Sequence, residues 1–106
     1  MKEIEVRLAC TDAVPDGQVR VFEAGGERIA LCNVSGTFYA IENTCTHDDG
    51  PLGEGTLDGV EVVCPRHGAR FDVRTGAVLR MPAIQPIRTF PVRVEGTEVY
   101  VRIGEI

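Results

Sequence analysis

Apolar and polar residues alternate with a period of two along much of this chain. Ile4, Val6 and Leu8 are interleaved with Glu3, Glu5 and Arg7; Phe90, Val92 and Val94 with Arg93 and Glu95; and Val99, Val101 and Ile103 with Tyr100 and Arg102. Alternation of this kind gives each segment one apolar face and predicts β-strands. Turn signals punctuate the runs at Pro15-Asp16-Gly17, Ala24-Gly25-Gly26, Ser35-Gly36, Asp58-Gly59, Thr75-Gly76 and Glu95-Gly96. No segment carries the period of an amphipathic helix of ordinary length. Many short strands at such spacing predict an all-β antiparallel sandwich or barrel. Pro91 has no N–H for a ladder, so the run from Phe90 to Glu95 is expected at an edge or a bulge.

The chain has 106 residues, which suits one domain with a single core. Its 43% hydrophobic and 25% charged residues lie within the globular range. No apolar run is long enough to span a membrane, and Met1-Lys2-Glu3-Ile4 does not open a signal peptide. A formal net charge of −5 argues against nucleic acid as a partner.

Chemistry is concentrated in two short motifs. Cys45-Thr46-His47 is followed, after sixteen residues, by Cys64-Pro65-Arg66-His67-Gly68. Two Cys/His pairs suit a mixed-ligand [2Fe–2S] cluster, with thiolates on one iron and imidazoles on the other. Each iron is then filled by two sulfides and two protein ligands. No position remains for substrate or water, whereas metal catalysis needs an open one; the site can only accept and release one electron. A structural zinc site also uses two Cys and two His, but zinc modules usually open with two Cys separated by two to four residues. Colour separates the two, since zinc is spectroscopically silent.

The other familiar oxidoreductase parts are missing from the sequence. Its two His are both taken up by these motifs, so a two-His-one-carboxylate iron site for oxygen activation cannot be built. No Gly-x-Gly-x-x-Gly joins a strand to a helix, and Gly25-Gly26 is read as a hairpin turn. Electron donor and final acceptor are therefore expected on other polypeptides.

At these residues the chain resembles the Rieske [2Fe–2S] family, whose pattern is Cys-x-His, a spacer of fifteen or more residues and Cys-x-x-His. Gly36-Thr37-Phe38-Tyr39-Ala40-Ile41 before the first motif and Phe71 to Gly76 after the second extend the likeness over nearly the whole chain. The resemblance implies an all-β Rieske-type fold with an inserted cluster-binding subdomain at about 43–80, in which Val60 to Val63 form a strand feeding Cys64. It also implies that Cys45 and Cys64 bind one iron and that His47 and His67 bind the other through Nδ1. Met81-Pro82-Ala83 matches the family's proline loop over the cluster. Gly50, Gly53, Gly55 and Gly68 stand either where positive φ or close approach to the sulfides is needed, with N–H groups that tune the cluster, or as ordinary turn glycines; the cluster role is expected only of Gly68, directly after a ligand. Family members in membrane-bound cytochrome complexes usually carry an N-terminal anchor, so this chain resembles the soluble, cytoplasmic kind.

Departures from the high-potential branch are equally informative. The two extra Cys that form a disulfide there correspond to Gly50 and Arg66, and the Ser and Tyr whose hydroxyls face the cluster correspond to Ala69 and Phe71. Hydrogen bonds to sulfur stabilise the reduced state, so their loss predicts a midpoint near the low end of the Rieske range, on the order of −150 mV. The Nε2 protons of the ligand imidazoles are expected to titrate, so that the potential falls as pH rises.

Cys10 and Cys32 are expected to be free core residues. Charge divides between the two motifs. Glu42, Asp48, Asp49, Glu54, Asp58 and Glu61 have no Lys or Arg among them, while Arg66, Arg70, Arg74 and Arg80 surround the second motif. These groups either pair with one another or, at Asp48, Asp49 and Arg66, steer a partner protein through a salt-sensitive encounter.

Together these features predict an electron carrier rather than an enzyme, and the resemblance implies that it passes electrons from a flavoprotein reductase to a terminal Rieske non-haem iron oxygenase of the aromatic-ring type. The alternatives are the small Rieske-like subunit of an NADH-dependent nitrite reductase and a zinc-stabilised interaction module. The identity of the oxygenase, its substrate and the oligomeric state are not written in the sequence.

Overall fold

A computed structural model of the chain describes residues 3–44, 51–66, 68–81 and 85–104. Eleven strands follow in chain order: β1 (Glu3–Cys10), β2 (Val19–Ala24), β3 (Glu27–Val34), β4 (Thr37–Glu42), β5 (Thr56–Asp58), β6 (Glu61–Val63), β7 (Arg70–Asp72), β8 (Val78–Arg80), β9 (Thr89–Phe90), β10 (Val92–Glu95) and β11 (Glu98–Gly104). Short 3-10 turns occur at Thr11–Ala13 and Leu52–Glu54. Among the described residues no helix is long and apolar enough to cross a membrane.

The strands form three antiparallel sheets with spatial orders β1-β11-β10, β2-β3-β4-β9 and β5-β6-β7-β8. The second sheet is shared between two apolar cores. On β3, Ile29 and Leu31 join Leu8, Phe38, Phe90, Val99 and Val101 in one core. The intervening Ala30 and Cys32 join Val62, Cys64, Phe71 and Ile87 in the other. Because successive side chains of a strand point to opposite faces, this middle sheet packs against the first sheet on one side and the β5–β8 sheet on the other. The all-β antiparallel expectation holds, with a third layer added by the inserted hairpins.

Turn chemistry fits the register. A type I′ two-residue hairpin loop needs left-handed backbone at both positions, and Gly25 and Gly26 supply φ of 56° and 80° between β2 and β3.

The expected single strand from Phe90 to Glu95 is two strands in different sheets. Phe90 pairs with Ala40 of β4, whereas Val92 pairs with Val101 of β11. Pro91 stands at the switch, where its missing N–H costs no ladder bond and its carbonyl accepts from Arg102 N–H at 3.0 Å. The apolar alternation also runs past the core: Val94 and Ile4 are exposed at the ends of their strands. Cys10 differs from expectation too. It is a half-buried thiol on β1, within 3.0 Å of Arg7 Nη2 and 3.6 Å of Glu98 Oε2. Cys32 is fully buried and free, and burial pushes its thiol up to about 12.

Candidate metal centre

Two chain excursions leave the middle of this scaffold, and both are closed at their base. β4 ends at Glu42, and Asn43 and Thr44 lead out. The chain returns at Pro51, which bridges to Thr44. Leu52 N–H donates to the Asn43 carbonyl at 2.7 Å, and Gly53 N–H donates to Asn43 Oδ1 at 2.7 Å. Leu52 is fully buried in the same core as Cys64, so the return point is anchored by apolar packing as well.

The second excursion starts where β6 ends. Cys64 N–H donates to the Ala69 carbonyl at 2.8 Å, and Gly68 N–H donates to the Cys64 carbonyl at 3.2 Å. Gly68 is left-handed at φ 75° with open space around the position of a Cβ, so it is the backbone conformation that favours glycine here. The two bases lie side by side. A Cβ on Gly55 would fall 2.0 Å from the Val63 carbonyl oxygen, directly before Cys64. Only a residue without a side chain lets the strand after the first excursion approach the strand before the second.

Of the four expected ligands, Cys64 is described. Its thiol is free and 2% exposed, seated among Leu52, Val62, Ala69 and Phe71. Cys45, His47 and His67 lie outside the described residues, as do Asp48, Asp49, Gly50 and the segment 82–84. A reduced, buried cysteine at the closed base of a tight turn, with a second closed base beside it, fits a soft thiolate ligand for an iron–sulfur cluster.

Gly53 and Gly55 serve the turns, and Gly68, expected to serve the cluster, has its N–H taken as well. The N–H groups of Gly53, Gly55 and Gly68 donate to Asn43 Oδ1, Leu52 O and Cys64 O respectively. They hold the bases of the excursions and are not left over for sulfide. Ala69 and Phe71, standing where the high-potential branch has hydroxyls, are both fully buried.

Two of the arginines around the second motif are paired internally. Arg70 donates to Asp58 at 2.9 Å and to Glu61 at 3.3 Å, tying β7 to β5 and β6, and these bonds raise its pKa. Arg74 makes a two-pronged contact with Asp72 at 2.8 and 3.1 Å. Its guanidinium, aided by its backbone N–H and opposed by burial, holds the Asp72 carboxyl below the usual carboxylate range. The unfolded chain therefore takes up this proton before the folded one does. Asp72 contributes stability above about pH 4, and that share is lost as pH falls through its lowered folded value. Urea denaturation at pH 7 and pH 3 checks this: Asp72→Asn is less stable than the parent at pH 7, and the gap narrows at pH 3.

The comparison with known proteins agrees with this architecture. Residues 5–91 match the family model for the Rieske [2Fe-2S] domain. The ferredoxin component of biphenyl 2,3-dioxygenase from Rhodococcus jostii (strain RHA1) is 47% identical over 95 residues, covering 90% of this chain and 89% of that one. Among solved structures, the ferredoxin of carbazole 1,9a-dioxygenase from Nocardioides aromaticivorans IC177 superposes with a TM-score of 0.88 at 36% identity, covering 92% and 95% of the two chains. A chain from a complex of reduced oxygenase and oxidized ferredoxin in carbazole 1,9a-dioxygenase superposes with a TM-score of 0.86 at 38% identity, covering 92% of each.

Proposed function

The chain belongs to the Rieske [2Fe–2S] domain family, and from that premise we propose that it is the ferredoxin component of a multicomponent oxygenase system, relaying single electrons from a flavoprotein reductase to a terminal Rieske non-haem iron oxygenase that acts on aromatic rings. The observation that carries this reading is near full-length similarity to dioxygenase ferredoxins, one of them from a complex with its oxygenase. The protein is an electron carrier and not itself an enzyme.

We assign Cys45, His47, Cys64 and His67 as the ligands, in a cluster-binding subdomain at about 43–80 of one domain spanning 1–106. The placement of β5–β8 within 56–80 and the buried Cys64 thiol support this. Bound there, a [2Fe–2S] cluster supplies storage of one electron at a time. The chain's own residues keep water from Cys64, hold the two loop bases together and, through Ala69 and Phe71, offer no hydroxyl donors. That last feature supports the expectation of a potential near the low end of the Rieske range, on the order of −150 mV. The reading places the protein in the cytoplasm, with neither membrane nor nucleic acid as a partner.

Stopped-flow mixing tests the relay. A flavoprotein reductase with NADH is expected to bleach the protein by one electron per chain, and the oxygenase to restore the colour with the same stoichiometry. A protein that the oxygenase cannot reoxidise, but that forms a stable complex with a sirohaem reductase, would instead be the nitrite reductase subunit.

A further inference from the structure

We propose that Asn43 is the positioning residue of the first ligand loop, its buried amide oxygen locking the point where the chain leaves β4 and returns, and so fixing where Cys45 stands. This rests on the reading of Cys45 and His47 as ligands given above.

The local construction shows why one side chain carries this duty. Asn43 is 8% exposed. Its N–H donates to the Arg28 carbonyl of β3 at 3.3 Å, which fixes the residue to the middle sheet. Its carbonyl and its Oδ1 then accept the N–H groups of two successive residues of the 3-10 turn on the returning chain, Leu52 and Gly53, each at 2.7 Å. The Thr44–Pro51 bridge lies next to this clamp, but proline has no N–H to donate. The Asn43 side chain therefore supplies the closure that an ordinary ladder would take from its backbone.

Gly53 is fitted to the same contact. A Cβ there would lie 2.8 Å from Asn43 Oδ1 and 2.0 Å from Val21 Cγ2. The absence of a side chain lets the amide oxygen reach the N–H, and Val21 packs against the same turn. Leucine at position 43 would match the volume yet leave the part-buried Gly53 N–H without its partner. Cys45 follows two residues later, within about 7 Å of the clamp along even a fully extended chain. Slack at Asn43 is thus passed to the thiolate with little room for compensation.

The test compares Asn43→Ala, Asn43→Asp, which keeps the acceptor oxygen, and Val99→Ala, which opens a cavity in the other core. Iron release from the holoprotein to a chelator and the EPR spectrum of the reduced protein are measured beside thermal unfolding. Asn43→Ala is expected to release iron about tenfold faster, the size expected when one part-buried N–H loses its partner, and to shift the EPR signal. Asn43→Asp should restore both, and Val99→Ala should unfold earlier with release rate and spectrum unchanged. Release from Asn43→Ala no faster than from Val99→Ala, or no rescue by Asn43→Asp, overturns the proposal.

Hydrogen exchange at the Gly53 amide in cluster-free protein decides the same point without iron. Faster exchange in Asn43→Ala, or in Asn43→Ser should the former not fold, supports the clamp; unchanged exchange refutes it. A parent protein that binds no [2Fe–2S] cluster would sink the ligand assignment instead, and that failure is recognised before any variant is made.

Discussion

Cys64→Ala is expected to abolish iron binding, and Cys32→Ala to leave it complete. Both residues are buried and free in one core, so burial alone does not tell them apart. Position and ionisation do. Metal ligation requires the thiolate, and Cys32, in the middle of β3 with its thiol pushed up to about 12 by burial, stays protonated at neutral pH. Cys64 stands at the mouth of a turn whose base is closed by its own N–H and carbonyl. Iron and acid-labile sulfide assays on the two purified variants give the result directly. Equal iron in Cys64→Ala and the parent would remove this residue from the ligand set.

The second large effect is on stability. Phe71 lies at the centre of β7, opposite Val62 of β6, and is the largest fully buried side chain. It fills the core that also holds Cys64, Ala69 and Leu52. Removing a buried phenyl ring costs about 3–5 kcal/mol through lost burial and the cavity left behind. The whole stability of a domain is about 5–15 kcal/mol, so Phe71→Ala is expected to be marginal near physiological temperature. Urea unfolding of cluster-free protein should show a midpoint lowered by that free energy divided by the slope, with the slope itself unchanged. A loss below about 1 kcal/mol would mean that the β5–β8 sheet does not depend on this ring.

Much of the scaffold can be read directly from residue order. The alternation of Val99, Val101 and Ile103 against Tyr100 and Arg102 gives β11 with its buried face correct, and the turn signals mark hairpins where glycine takes positive φ. What escapes is information that needs a third dimension. The run Ile29-Ala30-Leu31-Cys32 has no alternation because both faces of β3 are covered, and continuous apolar runs of this length do not say what covers them. The change of sheet at Pro91 looks, in sequence, like an edge residue in one strand. Cys10 reads as a core residue after Leu8-Ala9, yet β1 is leaving the core by then.

The site divides along the same line. Cysteine and histidine spacing point to the ligands because such pairs have few other uses. Asn43, a polar residue at a strand end, looks like any turn residue until its two acceptors are seen to meet successive N–H groups. Likewise Gly53 and Gly55 invite a φ argument, whereas the structure uses them for close approach to Val21, Asn43 and Val63. Contacts of that kind depend on what lies opposite, which no local pattern encodes.

Glu42 and Arg88 meet at the edge of the middle sheet. Glu42 N–H donates to the Arg88 carbonyl at 3.0 Å, and Arg88 N–H to Glu42 Oε1 at 3.0 Å. Everything between them is a detour that begins and ends at one place. The entropy of closing such a detour grows only with the logarithm of its length, so the host sandwich bears almost the same burden whether the detour is long or short. The detour is therefore closed at one place, so a change in the length of its loops costs the supporting strands little, provided that Leu52, Val62, Phe71 and Ile87 still cover the face of the middle sheet that carries Ala30 and Cys32.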